Sequence, residues 1–261
     1  MQSVSRFDSG RAKGIQELSA FCQPGIKKMN RQIQLEIFKA QTENVRSLEK
    51  AWKHLLRTIN EELVSDNLVS VAVHTKLLAL VFCAWSEANF QKLIHTPHSL
   101  EIDEINQVKD IASKNIVDGW IKCLDLGLSQ VLKIPKSNYI PNIKQSVKRI
   151  INTYVSEPRL LRNKIAHGQW VIALNRKNDA KNENLTKQIN EIDVVKLSIW
   201  KEAYLSLSKI IECLIESPDG AFHNDYWIEI TKINDHLQKT ENWTLNSKIE
   251  QLKRKASYYK Q

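Results

Sequence analysis

Hydrophobic residues in the first quarter of the chain recur at helical spacing. From Asn30 onward, apolar side chains follow one another at three- and four-residue steps, the pattern of one stripe along an amphipathic helix. The stripe consists of Val45, Leu48, Trp52, Leu55, Ile59 and Leu63. This pattern predicts a long helix packed on the core, and a coiled-coil arm is the alternative.

A second segment, residues 67–94, is apolar on nearly every side. It is dense in aliphatic and aromatic residues and ends before Thr96 and Pro97. Such a segment is typical of a helix at the centre of a core. Glu87 is the only acidic residue in its second half, so this carboxylate either faces solvent on the one polar edge or has a functional partner.

Helical patterns cover most of the remaining chain as well. The whole sequence has only seven glycines and six prolines, and so few breakers argue against a many-stranded sandwich or barrel. The further helical segments are residues 103–112, 114–132, 141–154, 158–167, 192–215, 225–238 and 245–259. The sequence therefore predicts an all-α helical bundle.

Two short apolar segments interrupt the helical pattern. Residues 170–174 and 185–189 predict the strands of a small β-hairpin around a polar loop at residues 175–184. Just before them, Pro158 fits the first turn of a helix that is capped by Ser156 or Glu157.

The length of 261 residues suits one large domain, or one domain with appended helices. We expect an N-terminal helical extension at residues 1–66, a core at 67–216 and a basic helical extension at 217–261. The first thirty residues are weakly patterned, and Pro24 followed by Gly25 interrupts any short helix there.

The charge of the chain indicates an anionic partner. The formal net charge is +9, and nucleic acid is the commonest partner of such a protein, with a solvated basic surface as the alternative. The excess is clustered, because residues 142–164 hold six basic side chains against Glu157 alone. These are Lys144, Lys148, Arg149, Arg159, Arg162 and Lys164. Of these, Lys148, Arg149, Arg159 and Lys164 are the candidate RNA-binding residues.

No metal, cofactor or membrane is expected. The cysteines lack the spacing of a zinc site or redox pair, so they predict buried thiols in a reducing compartment: Cys22, Cys83, Cys123 and Cys213. His95 and His98 lack a third ligand nearby and are expected in a surface loop. No signal peptide is evident, and the apolar run at residues 77–85 is short for a membrane span, so a cytoplasmic location is expected.

The segment from Arg162 to Gly168 carries the candidate chemistry. A basic residue and a histidine before a glycine also occur where a helix simply ends, because cations stabilise that terminus. RNA cleavage through the ribose 2′-hydroxyl needs a proton carrier near neutral pH, for which imidazole is suited, and a fixed cation facing the phosphorane. His167 and Arg162 supply these groups, and the amide of Asn163 can hold the phosphate or the imidazole.

The spacing of these groups affects how they can meet. Asn163 and His167 are four residues apart and share a helix face, whereas Arg162 and His167 are five apart, about 140° around an ideal helix. Arg162 and His167 converge only if the helix unwinds near Gly168 or if two chains share the site. The second arrangement favours a symmetric homodimer.

The segment Arg-Asn-Lys-Ile-Ala-His-Gly resembles the Arg-x4–6-His motif of the HEPN superfamily. The resemblance implies a helical bundle, a homodimer with a composite cleft, and metal-independent endoribonuclease activity that leaves a 2′,3′-cyclic phosphate. Arg162 and His167 match the two catalytic positions of the motif, and Asn163 matches its polar position. Members commonly act as toxins or in antiphage defence, which implies an antitoxin or defence-system partner.

The resemblance covers residues 67–215 and extends to Glu87. Some members of the superfamily place a carboxylate on a preceding core helix near the arginine and histidine, and Glu87 is the candidate here. There is one departure from the pattern. Members paired with nucleotidyltransferase antitoxins usually carry a tyrosine two residues after the histidine, where this chain has Gln169, so control by modification of such a tyrosine is not expected.

Two other classes of function stay open. The fold could serve as a non-catalytic RNA-binding module, or as a scaffold in a larger defence complex. The presence of both Arg162 and His167 favours the endoribonuclease.

Overall fold

A computed structural model describes residues 29–132 and 138–258. Over these residues the chain is helical and forms no β-strand. The α-helices are α1 (Arg31–Val64), α2 (Leu68–Ile94), α3 (Ile102–Lys114), α4 (Ile116–Ser129), α5 (Tyr139–Ile151), α6 (Glu157–Ala166), α7 (Glu183–Asn190), α8 (Val194–Glu216), α9 (Ala221–Thr240) and α10 (Leu245–Tyr258), with a π-helical turn at Asn152–Ser156. The all-α class is confirmed. The predictions about Pro24, Gly25 and Cys22 lie outside the described residues.

Helix α1 packs along α2 through the predicted stripe. Its first turn is capped by Asn30, whose side chain accepts a hydrogen bond from the backbone N–H of Ile33 at 2.9 Å. Trp52, Ile59 and Leu63 are buried in the same core as α2. The core-packed helix is therefore confirmed, rather than the coiled-coil arm.

Helix α2 runs through the centre of the fold. Phe82 and Trp85 of this helix pack against Tyr204 of α8, and the Trp85 and Tyr204 rings lie 5.3 Å apart. Tyr204 in turn meets the ring of Trp120 on α4 edge to face. Within the described residues α2 alone is long and apolar enough to cross a membrane, and 44% of its most apolar window is buried in the protein. Core helices of soluble proteins share that length and composition, so this feature alone does not indicate a membrane.

The predicted helix start is confirmed, because α6 begins at Glu157 with Pro158 in its first turn, but the predicted cap is wrong. Helix α5 continues through the π-helical turn into α6, and Ser156 has helical backbone angles and makes no capping hydrogen bond. Pro158 has no N–H to donate to the carbonyl four residues earlier, and its ring would collide with that carbonyl in a regular α-helix. The wider π turn directly before Pro158 accommodates the proline without ending the helix.

The predicted β-hairpin is also wrong. Its second strand lies in α7, which Asn182 caps by accepting a hydrogen bond from the Leu185 N–H at 3.0 Å. Leu185 and Ile189 lie four residues apart and share the buried side of this helix. Strand-like pairing in the described part of the chain is limited to one isolated antiparallel bridge between Leu174 and Lys181.

Two further predictions concern buried side chains. Cys83, Cys123 and Cys213 are free and buried, as expected, and burial raises the pKa of the Cys83 thiol to about 12. His95 is not in a surface loop. It is 1% exposed at the end of α2, where its Nδ1 lies 2.7 Å from the carbonyl oxygen of Gln91, and only His98 is exposed.

Candidate active site

The motif lies on α6, which is held against the core by its apolar face. Leu161 and Ile165 are 2% and 1% exposed, and the Cys83 thiol of α2 contacts the carbonyl oxygen of Pro158 at 3.7 Å. Because these contacts fix the rotation of α6, Arg162 and Asn163 lie on its partly exposed side. The helix thus presents the polar residues of the motif beside α2.

The structure brings Glu87 and Arg162 together. The Arg162 guanidinium forms an ion pair with the Glu87 carboxylate, and it also donates to Asn163 Oδ1 at 3.3 Å. The Arg162 side chain is 33% exposed and the Glu87 side chain 51% exposed, so both remain accessible to a ligand. Glu87 is therefore neither an isolated surface acid nor a buried charge.

His167 lies at the end of α6, where the helix unwinds. Its backbone N–H still bonds to the Asn163 carbonyl at 3.3 Å, while Gly168 adopts a φ of +77°, a left-handed conformation that favours glycine. The Gln169 N–H then bonds to the Lys164 carbonyl at 2.9 Å, which completes a Schellman ending. This ending leaves the imidazole of His167 exposed.

Within one chain, Arg162 and His167 face different clefts. His167 and Asn163 line a cleft of about 960 Å³ between α6 and residues 169–185. Arg162 lines a narrow cleft on the other side, with Glu87 and Cys83. The unwinding at Gly168 therefore does not bring the two candidate catalytic groups into one cleft of a single chain.

Arg159 occupies a position between these clefts. It lines both of them, and its guanidinium donates to Asn115 Oδ1 at the start of α4. The sequence could have indicated this position, because Arg159 precedes Arg162 by three residues and residues three apart are neighbours on a helix. Sequence reasoning assigned Arg159 to RNA binding, but did not place it beside both Arg162 and His167.

The His167 cleft also contains residues that the sequence did not suggest. Arg176, Asn178 and Asn182 of the polar loop line it. The loop is fastened to α6, because Lys164 Nζ donates to the Leu174 carbonyl at 2.6 Å, and Leu174 N–H donates to Gln169 Oε1 at 2.7 Å. The polar composition of residues 175–184 could have indicated a role in the site, but these residues were interpreted only as the loop of the predicted hairpin.

The basic cluster is partly neutralised inside the fold. Lys144 pairs with Asp125 at 2.7 Å, and Lys164 is bonded to the loop as described above. Lys148 and Arg149, near the end of α5, have no ion-pair partner among the described residues. They are therefore the members of the cluster most available to an external phosphate.

Glu87 borders a further, polar trough of about 860 Å³. Helix α2 forms its floor, and α1 and α3 form its walls. Amide and hydroxyl side chains dominate the lining, with Lys109 as its cation: Gln41, Asn44, Ser47, Gln91 and Ser113. Through Glu87, the ion pair with Arg162 thus borders an open polar groove.

Within residues 29–132 and 138–258, no three histidine, cysteine or acidic side chains cluster in a way that could hold a metal ion. The chemistry that the site offers comes from a guanidinium, an imidazole, a carboxylate and an amide. Comparisons of the chain with protein-family models, curated proteins and solved structures found no match. The functional interpretation therefore depends on the motif and on the geometry described above.

Proposed function

We propose that this protein is a metal-independent endoribonuclease of the HEPN type, acting as a toxin or antiphage effector. The observation that carries the proposal is the Arg162–Glu87 ion pair, flanked by Asn163. Some members of the superfamily place a carboxylate on a preceding core helix near the motif arginine, and the position of Glu87 on α2 matches that arrangement.

The proposed reaction uses the substrate's own nucleophile. The ribose 2′-hydroxyl loses its proton and attacks the adjacent phosphorus, the bond from phosphorus to the 5′-oxygen breaks, and that oxygen takes up a proton. The products are a 2′,3′-cyclic phosphate and a free 5′-hydroxyl. His167 transfers the protons, and Arg162 stabilises the charge that develops on the phosphorane. Glu87 and Asn163 orient the Arg162 guanidinium.

The proposal includes a homodimer with composite sites. Arg162 and His167 line different clefts of one chain, and in the proposed dimer Arg162 of one chain works with His167 of the other. The surface beside the motif is apolar enough for such a contact, because Leu160, Val171 and Ile172 are 47%, 66% and 44% exposed. Apolar area of this kind next to a site is typical of a subunit interface.

The reaction is tested by incubating the purified protein with RNA in chelator and analysing the ends of the fragments. We expect 2′,3′-cyclic phosphates, and we expect Arg162→Ala or His167→Ala to abolish cleavage. The matched controls are Arg57→Ala and His54→Ala, because both residues are exposed on α1, away from the site. Cleavage by a folded His167→Ala protein at the wild-type rate would refute the assignment.

The composite site is tested by mixing the two inactive variants. In a mixed dimer, the chain that keeps Arg162 and the chain that keeps His167 together complete one of the two sites. Random mixing puts half of the dimers in this state, so about a quarter of the wild-type activity should return. No recovery despite proven subunit exchange would exclude a site shared in this way.

The separation of Arg162 from His167 within one chain also leaves a second function, an RNA-binding module without catalysis. If the protein is monomeric in solution, the separation of Arg162 from His167 favours an RNA-binding module without catalysis. Light scattering decides between the two, because the endoribonuclease requires about twice the chain mass of 30.2 kDa.

A further inference from the structure

A fourth cleft lies between α5 and α9, and none of the motif residues lines it. It has a volume of about 760 Å³ and is lined by aromatic rings and by three asparagine amides. The rings are those of Tyr139, Tyr226 and Trp227, and the amides are those of Asn138, Asn142 and Asn224. None of the residues that line it is acidic.

One of the aromatic side chains that line the cleft, Trp227, is largely exposed to solvent. Trp227 is 55% exposed, and its ring meets the ring of Tyr226 edge to face at 5.0 Å. The two helices contact each other at one end of the cleft, where the Tyr139 hydroxyl lies 2.9 Å from His223 Nδ1. More than half of the surface of Trp227 is thus accessible to a ligand.

This composition selects a particular class of ligand. A planar heterocycle can stack on the exposed indole, and asparagine amides offer both donors and acceptors to its polar edge. Unpaired nucleobases have both properties, and stacking on aromatic side chains is how proteins commonly hold them. The absence of carboxylates from the lining removes the repulsion that would oppose a neighbouring phosphate.

The same helix carries cations beyond the cleft. Asn142, Ser146 and Arg149 of α5 are spaced by four and three residues and therefore share one face. Lys148 lies beside Arg149, and neither has an ion-pair partner among the described residues. A strand whose base enters the cleft would therefore find phosphate ligands about one turn further along α5.

We infer that the cleft between α5 and α9 is a base-stacking subsite for single-stranded RNA, with Trp227 as its platform. The inference deepens the proposed function, because it names a second place where the proposed substrate is held. Twenty residues separate Asn142 from Arg162, so a collinear path along these helices would span about 30 Å at a rise of about 1.5 Å per residue. A stacked strand advancing about 3.4 Å per nucleotide spans this distance in about nine nucleotides.

The test measures binding without cleavage, using single-stranded oligonucleotides with methylated 2′-hydroxyls. We expect affinity to rise once the oligonucleotide reaches about nine nucleotides, and Trp227→Ala to weaken binding of longer oligonucleotides about tenfold. Trp227→Phe keeps an aromatic platform and should retain most of the affinity. The matched control is Trp243→Ala, because Trp243 is 59% exposed between α9 and α10, outside the cleft, and its loss should change affinity less than twofold.

Three outcomes would overturn the inference. Equal affinities for Trp227→Ala and Trp243→Ala would show that the cleft does not bind bases. If Trp227→Ala weakened the binding of duplex RNA as much as that of single-stranded RNA, the contact would not require unpaired bases. Loss of the dimer in Trp227→Ala, seen by light scattering, would make the cleft a subunit contact. Because no cleavage is measured, a protein that binds in this way but leaves all RNA intact would refute only the proposed function.

Discussion

We expect the Arg162–Glu87 ion pair to contribute little to stability and much to the proposed cleavage. The substitution Glu87→Gln tests this expectation. The two side chains are 33% and 51% exposed, so solvent screens much of their attraction. Exposed pairs of this kind contribute about 0.2–1 kcal/mol to folding. The glutamine keeps the size of the side chain and removes its charge. We therefore expect the free energy of unfolding to fall by less than about 1 kcal/mol.

The effect on cleavage should be much larger. A guanidinium that faces the phosphorane is effective only in a fixed orientation, so loosening Arg162 should lower the rate about 10- to 100-fold, less than removing Arg162 itself. Urea unfolding and single-turnover cleavage, measured on the same preparations, provide the comparison. Glu43→Gln is the control, because Glu43 pairs with Arg46 on the open surface of α1. An unchanged cleavage rate in Glu87→Gln would refute the reasoning.

Three further predictions concern stability and binding. A Cβ added at Gly127 would lie 2.5 Å from Leu214 Cγ, so Gly127→Ala should destabilise the fold by about 1–2 kcal/mol in urea unfolding, despite alanine's better helix propensity. Burial lowers the pKa of His95 below its ordinary value of 6.5, so the unfolded state takes up a proton at a higher pH than the folded state, and stability falls as the pH drops below 6.5. In thermal melting, the melting temperature of His95→Gln should fall less with decreasing pH than that of the wild type. Replacing Lys148 and Arg149 together by alanine should reduce the salt slope of single-stranded RNA binding by about 1.4, as measured by anisotropy.

Much of the fold could be predicted from the periodicity of apolar residues. The predictions that failed did so for local reasons. The stripe containing Trp52 and Ile59 was long enough to define α1, and the all-round apolar character of α2 placed it in the core. The hairpin prediction failed because two short apolar runs fit a strand or a helix equally well, and the capping side chain of Asn182 decided for α7. Pro158 correctly marked the first turn of α6, because prolines favour that position, but nothing in the sequence marks the π turn that stands in place of a capped start.

The candidate site was predicted in composition more than in geometry. The motif identified Arg162, Asn163 and His167, and the lone acid of α2 identified Glu87. The pairing of Glu87 with Arg162 depends on how α6 rotates against α2, which the buried contacts of Leu161 and Ile165 determine. The placement of His167 in a separate cleft depends on the loop that Lys164 fastens. Such tertiary contacts leave no pattern along the chain.

Helix α5, the π turn and α6 follow one another without an intervening loop. The fourteen residues from Lys148 to Arg162 would span about 21 Å if these elements were collinear. If RNA contacts both residues, as proposed, its phosphate ligands lie on consecutive helical elements and not on separate mobile parts. Their separation would then be set before the RNA binds, so association would cost little conformational freedom within the protein.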